Sequence, residues 1–167
     1  MAIKAGDKLP TGTLTEMIYE AAESCPVGPT QVNVAEASKG KRIVILAVPG
    51  AFTPGCSNVH LPGYLTNADK FKGKKVDEIW CLSVNDAFVM GAWGKDQKTA
   101  GKVRMLADGS ATYTKALGLQ LDANAWGMGE RSQRYSMLVE DGVVKILNLD
   151  EGGKVENSTA EKLLSQI

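Results

Sequence analysis

The sequence predicts an α/β fold with a mixed sheet flanked by helices, and three observations predict it. An almost unbroken aliphatic run covers residues 42–48, two shorter apolar runs follow it at helix-length intervals, and two more flank Asp141-Gly142 near the C-terminus. Arg42-Ile-Val-Ile-Leu-Ala-Val48, closed by Pro49-Gly50, has the near-continuous β-branched and aliphatic character of a strand buried on both faces. Glu78 to Val84 and Val103 to Ala107 are the shorter runs, and helix-compatible segments of about 10 to 15 residues separate the three. Such βαβ alternation predicts parallel neighbours joined by right-handed crossovers. Tyr135 to Glu140 and Val143 to Asn148 read as an antiparallel hairpin, because Asp-Gly tolerates the positive φ angles of a tight turn. Thr159 to Gln166 reads as a final helix, capped by Ser158 or Thr159, with Leu163 and Leu164 facing inward.

A chain of 167 residues is expected to form a single domain, 1–167, that buries its core without disulfides or a structural metal. Nineteen basic and nineteen acidic side chains cancel, which removes the long-range attraction that nucleic acid or an anionic membrane would need. The longest aliphatic run, Ile43 to Val48, is far short of the roughly 20 apolar residues that span a bilayer. The first residues, Met-Ala-Ile-Lys-Ala-Gly-Asp-Lys, carry charge where a secretory signal would be apolar, so the chain reads as cytoplasmic; a removed organellar presequence would leave no trace in it. Three cysteines in no scaffold-like spacing fit a reducing compartment, where thiols serve reactivity or packing.

The informative stretch is Pro49-Gly-Ala-Phe-Thr-Pro-Gly-Cys-Ser-Asn-Val-His-Leu-Pro62. Pro49 and Gly50 end the strand, Thr53 is placed to cap a helix, and Pro54 suits the first helical position, where its missing N–H would be unpaired anyway. Cys56 then falls in the first turn, where free backbone N–H groups and the helix dipole favour the nucleophilic thiolate. Pro62 is expected to kink the helix, at about 3 kcal/mol, which a purely structural helix would avoid. Spacing alone leaves a second reading open, in which Cys56 is a small buried hydrophobe beside a turn.

The spacing Pro49-x-x-x-Thr53-x-x-Cys56 resembles the active-site motif of the peroxiredoxins, and the fuller Pro-Gly-Ala-Phe-Thr-Pro-Gly-Cys-Ser string resembles their type II, or peroxiredoxin-five-like, subfamily. Asn85-Asp-Ala-Phe-Val-Met-Gly-Ala-Trp-Gly94 and Arg131-Ser-Gln-Arg-Tyr-Ser-Met-Leu-Val-Glu-Asp-Gly142 extend the similarity over nearly the whole chain. The resemblance implies a thioredoxin-like fold with an N-terminal extension and a thiol peroxidase that reduces hydrogen peroxide and organic hydroperoxides in antioxidant defence. It casts Cys56 as the peroxidatic cysteine, which is oxidised to a sulfenic acid. Thr53 would hold the reacting oxygens, and Pro49 would shield the pocket. Arg134 would favour the thiolate and orient the peroxide, with Arg131 as a nearby decoy. Without the motif, Arg134 reads as a surface residue at a strand start.

Cys81 lies in the strand from Glu78, where an inert buried thiol is ordinary. By resemblance to plant and some bacterial type II members it is also a candidate resolving cysteine. Bridging it to Cys56 would need Cα atoms within about 7 Å, which a rigid strand and helix resist. The segment Lys154 to Thr159 lacks the resolving cysteine of the animal relatives, and Cys25, in a turn-rich stretch, reads as a bystander. The sulfenic acid is therefore expected to be recycled by an external thiol, glutathione with glutaredoxin by preference and thioredoxin as the alternative. His60, the lone histidine, shares a helical face with Cys56. Two ligands do not make a zinc site, so no metal or other cofactor is expected, and His60 is expected to pack or hydrogen-bond near the pocket. Lys70-Phe-Lys-Gly-Lys-Lys75 reads as solvated surface, with steering of an acidic partner as the alternative. Phe52, Phe88, Trp93 and Trp126 could form a pocket rim, a dimer contact or core, and the resemblance implies a homodimer. Two other function classes compete: a thiol-disulfide oxidoreductase, which would call for the absent Cys-x-x-Cys, and a non-enzymatic binding or chaperone module.

Overall fold

Arg42–Val48 is the central strand (β3), and every residue from Ile43 to Val48 is buried. The computed structural model describes residues 1–19 and 26–167, so Cys25 lies outside the described residues. Around β3 stand β1 (Thr13–Tyr19), β2 (Pro26–Asn33), β4 (Glu78–Ser83), β5 (Arg104–Ala107), β8 (Tyr135–Glu140) and β9 (Val143–Leu149). Among the described residues these form one seven-stranded sheet in the order β2-β1-β5-β4-β3-β8-β9, and β6 (Gln120–Asp122) pairs separately with β7 (Glu130–Ser132). The three strands read as a βαβ core are parallel, β3 to β4 and β4 to β5, while β8 and β9 extend the sheet antiparallel as expected. Asp141 and Gly142 hold φ of 46° and 75° in the hairpin turn, the conformation that an Asp-Gly pair tolerates.

Alternation along the strands splits the core into two layers. Val44, Leu46 and Val48 of β3 face one side with Cys56, Cys81 and Trp93. Ile43, Ile45 and Ala47 face the other with Trp80, Leu82 and Tyr135. Burying the four Val, Ile and Leu side chains from Ile43 to Leu46 contributes on the order of 10 kcal/mol before the entropy of ordering them is subtracted. The first layer is covered by α2 (Leu61–Thr66), α3 (Ala68–Gly73), α4 (Ala87–Gln97) and α6 (Ala160–Leu164), each of which buries residues in it; α1 (Val34–Ser38) and α5 (Thr112–Leu117) cover the second. Thr159 caps α6 by accepting the Lys162 N–H, with Leu163 fully buried and Leu164 partly so.

The first two strands carry no aliphatic run and were not among the elements read from the sequence. Thr13–Tyr19 pairs antiparallel with Pro26–Asn33, whose two prolines are tolerated because that strand lies at the edge of the sheet. Arg104 secures this flank, contacting Glu16 of β1 at 2.9 Å and Glu78 of β4 at 3.3 Å.

Register decides what meets at one end of the sheet. Ala47 of β3 stands opposite Tyr135, the first residue of β8, and Tyr135 stands opposite Leu149, the last of β9. The loop that follows β3, the residue that precedes β8 and the residue that follows β9 therefore converge: Pro49 onward, Arg134 and Asp150.

Candidate active site

The loop after β3 is held by hydrogen bonds from its neighbours. Ala51 N–H donates to the Asn85 side chain at 3.0 Å, and the Ser83 hydroxyl approaches the same Asn85 oxygen at 2.6 Å. Phe52 turns the chain at φ 63°. The Thr53 hydroxyl donates to the Gly50 carbonyl at 2.7 Å, and the Thr53 carbonyl accepts the Ser57 N–H at 2.9 Å. Helix therefore begins at Pro54, as expected, but the Thr53 side chain closes the turn behind it instead of capping the helix ahead.

Cys56–His60 is a π-helical segment in which the Leu61 N–H reaches the Cys56 carbonyl. The expected effect of Pro62 takes this form: a widened turn just ahead of the proline, running on into α2. A wide turn has room for a residue that lacks an N–H, and such segments recur at functional sites. Cys56 and His60 both point into the core, with 0% and 1% exposure.

Arg134 joins them. One guanidinium nitrogen, Nη2, donates to Cys56 Sγ at 3.3 Å, and the other, Nη1, contacts His60 Nδ1 at 3.1 Å. At 6% exposure it is no surface residue, contrary to what its position alone suggests. It passes close over Gly55, where a Cβ would lie 3.2 Å from Nη2, so a larger residue there would press on the guanidinium. Arg131, in β7, donates instead to the Met128 carbonyl at 2.9 Å and the Val84 carbonyl at 3.2 Å.

Because an arginine can only donate, His60 Nδ1 must accept, which puts the ring proton on Nε2, directed at the Ser158 carbonyl 3.0 Å away. Burial and then the Arg134 charge hold the imidazole down to about 4, so the ring is neutral at neutral pH. Tyr64 OH donates to the same Ser158 carbonyl at 2.7 Å. Ser158 is fixed in turn by the buried Asp150 carboxylate, which accepts its N–H at 3.1 Å, its hydroxyl, and the Asn157 N–H at 2.6 Å. Burial pushes the Asp150 carboxyl up, but these hydrogen bonds outweigh it and the net displacement is downward. Asp150, Ser158 and Tyr64 were not legible as site residues: Asp150 reads as the start of a Gly-rich turn, and Ser158 acts through its backbone.

Beside the buried sulfur, a cavity of about 520 Å³ is lined by Pro49, Thr53, Gly55, Leu121, Trp126 and Arg134, and Arg134 links it to Cys56, which does not itself line it. Pro49, Thr53, Cys56 and Arg134 are thus brought together. Cys81, in β4, is fully buried in the same apolar layer as Cys56, and burial pushes its thiol strongly upward. Of the four aromatics, Trp93 is core and donates to the Ser57 hydroxyl at 3.0 Å, Trp126 lines the cavity, and Phe52 and Phe88 are exposed. Among the described residues no group of three His, Cys, Asp or Glu side chains is placed to hold a metal, and no helix is long and apolar enough to cross a membrane.

Residues 4–164 match the Redoxin family model. Peroxiredoxin-2E, chloroplastic, of Arabidopsis thaliana is 44% identical over 168 residues, covering 99% of this chain and 70% of that protein. The crystal structure of reduced Prx3 in complex with hydrogen peroxide from Vibrio vulnificus superimposes with a TM-score of 0.90 at 48% identity and covers 98% of each chain. An X-ray structure from Burkholderia cenocepacia, described as a candidate thioredoxin reductase, superimposes with a TM-score of 0.96 at 53% identity, covering 100% of this chain and 99% of that one.

Proposed function

Since the chain belongs to the redoxin family, as a type II peroxiredoxin with a thioredoxin-like fold, and is a thiol peroxidase of antioxidant defence, we propose that Cys56 is the thiol that attacks peroxide. The observation that carries this is the buried contact between Arg134 Nη2 and Cys56 Sγ. Cys56 thiolate attacks the terminal oxygen of a hydroperoxide, so that an S–O bond forms as the O–O bond breaks. Sulfur is oxidised to the sulfenic acid, and the leaving oxygen takes up a proton and departs as water or an alcohol. Arg134 donates to the sulfur and would stabilise charge moving onto the leaving oxygen. Thr53 and Pro49 both line the cavity, where Thr53 would present its hydroxyl to the peroxide and Pro49 would shield the pocket.

The apolar wall of Leu121 and Trp126 supports organic hydroperoxides as well as hydrogen peroxide as substrates. For recycling, glutathione with glutaredoxin is the reading preferred over thioredoxin. Cys81 is sealed in a strand, and a mixed disulfide on Cys56 needs no second cysteine in the chain. No Cys-x-x-Cys occurs in the sequence, which argues against a thiol-disulfide oxidoreductase. One domain over 1–167, a homodimer and a cytoplasmic setting complete the reading; exposed Phe52 and Phe88 offer apolar surface for a dimer contact.

The test is steady-state peroxide consumption by the full chain and by Cys56→Ser, with glutathione plus glutaredoxin compared against thioredoxin plus its reductase. The expected result is turnover that requires Cys56 and is faster with glutathione. Turnover that survives the substitution would overturn the assignment.

A further inference from the structure

We propose that His60 is a positioning residue: its neutral ring, clamped between the Ser158 carbonyl and Arg134, fixes the guanidinium against the Cys56 sulfur. The inference rests on the reading of Cys56 as the reactive thiol. An arginine side chain has several rotatable bonds, and Arg134 Nε has no hydrogen-bond partner among the described residues, so the outer nitrogens carry its hydrogen bonds. One of them is held by His60 Nδ1 at 3.1 Å, which leaves the other aimed at sulfur. The aim is preorganised before peroxide arrives, which is where an electrostatic contribution to a transition state is largest.

The clamp depends on which nitrogen carries the proton. His60 Nε2 faces the Ser158 carbonyl, an obligate acceptor, and so must be the protonated one. The carbonyl is itself placed by the Asp150 carboxylate through the Ser158 N–H and the adjacent Asn157 N–H, and is steadied by Tyr64 OH. The titratable and charged groups that face the ring are thus Arg134 before β8, Asp150 after β9 and Tyr64 from α2, whose ring meets it edge-on at 5.6 Å. A histidine that gained a second proton would turn a donor toward a donor at Nδ1 and release Arg134.

Two amide substitutions divide the clamp. In His60→Asn the amide oxygen takes the place of Nδ1 and keeps an acceptor for Arg134 while the Ser158 bond is lost. In His60→Gln the amide nitrogen takes the place of Nε2 and keeps the Ser158 bond while the acceptor is lost. The second-order rate with hydrogen peroxide should stay within roughly threefold of the parent for Asn and fall roughly tenfold or more for Gln, the effect of losing one hydrogen bond to a charged group. The pH at which Cys56 is half alkylated should rise only in Gln.

Equal rates and equal alkylation profiles in the two variants, with Cys56 still essential, would overturn the clamp alone. Turnover surviving in Cys56→Ser would instead overturn the thiol assignment beneath it. Nitrogen-15 NMR of the reduced parent protein gives a reading that needs no variant. An Nε2–H neutral ring from pH 5.5 to 8 is expected, and an Nδ1–H tautomer or an imidazolium at neutral pH would overturn the clamp.

Discussion

Arg134 Nη2 lies 3.3 Å from Cys56 Sγ although 78 positions separate the two residues, and it passes close over Gly55, where an added Cβ would lie 3.2 Å from it. Sheet register brings them together, because the strand that follows Arg134 lies directly beside the strand that leads to Cys56. Removing either partner should act on chemistry more than on folding.

Cys56→Ser should abolish peroxide turnover and leave the fold intact, since serine conserves the shape but supplies no comparable anion near neutral pH. Hydrogen peroxide consumption and far-ultraviolet circular dichroism check the two halves.

Arg134→Ala should lower peroxide reactivity by roughly a hundredfold, the scale of losing one preorganised donor to developing charge. The pH of half-alkylation of Cys56 should move upward as the positive charge is lost. Arg134→Lys should rescue little, because a single ammonium cannot span His60 and the sulfur at once. An alkylation profile unchanged in Arg134→Ala would remove the arginine from the site.

Stability should depend on acid through His60. Burial and the Arg134 charge hold its folded value at about 4, against about 6.5 in an unfolded chain. The contribution is fully present above pH 6.5 and is lost as pH falls through 4, because the unfolded chain takes up the proton first. The loss between those limits is about 3 kcal/mol. The lowered Asp150 carboxyl contributes in a separate window, losing its part only below the usual carboxylate value near 3.8. Urea unfolding at a series of pH values should therefore show a slope from 6.5 to 4 that flattens in His60→Asn. An undiminished slope in that variant would assign the acid sensitivity elsewhere.

Cys81→Ser should retain turnover supported by glutathione, since the thiol is sealed in β4 and burial keeps it protonated. Intact mass after one equivalent each of peroxide and glutathione should show a glutathione adduct on Cys56. A quantitative Cys56 to Cys81 disulfide, with activity lost in the variant, would establish an obligatory two-cysteine cycle instead.

Gly118→Ala should destabilise the fold by about 1–3 kcal/mol and spare the peroxidase rate. Gly118 sits at φ 72°, and an added Cβ would come within 2.7 Å of backbone atoms of Met1 and Ala2, just before Ile3 N–H bonds the Leu117 carbonyl. Thermal melting with parallel activity measurement checks it, and a lost rate at full folding would tie this strap to the site.

Most of the sheet core was legible because each strand announces itself by local pattern. The run from Ile43 to Val48 is buried without a break, and Asp141-Gly142 takes the positive φ that its composition allows. The first two strands were not legible, since Thr13–Tyr19 and Pro26–Asn33 draw their order from pairing and carry little apolar signal of their own. At the site, the loop from Pro49 to Cys56 could be read residue by residue, whereas the grip on Arg134 could not. Its parts are a ring whose tautomer depends on its partners, a backbone carbonyl at Ser158 and a carboxylate at Asp150 that looks like turn surface in one dimension.

The chain order of these parts has a consequence during synthesis. Cys56 is made 78 residues before Arg134, a lag of roughly 4 to 16 seconds at ordinary elongation rates, and the Ser158 carbonyl follows His60 by 98 residues. Whatever reactivity the guanidinium lends the sulfur is absent from a nascent chain, which carries the whole Pro-Thr-Cys string as an ordinary thiol until β8 docks beside β3. The site is thus armed only after Arg134 and Ser158 have been made, and a fragment truncated before Arg134 would keep the signature and lack the guanidinium.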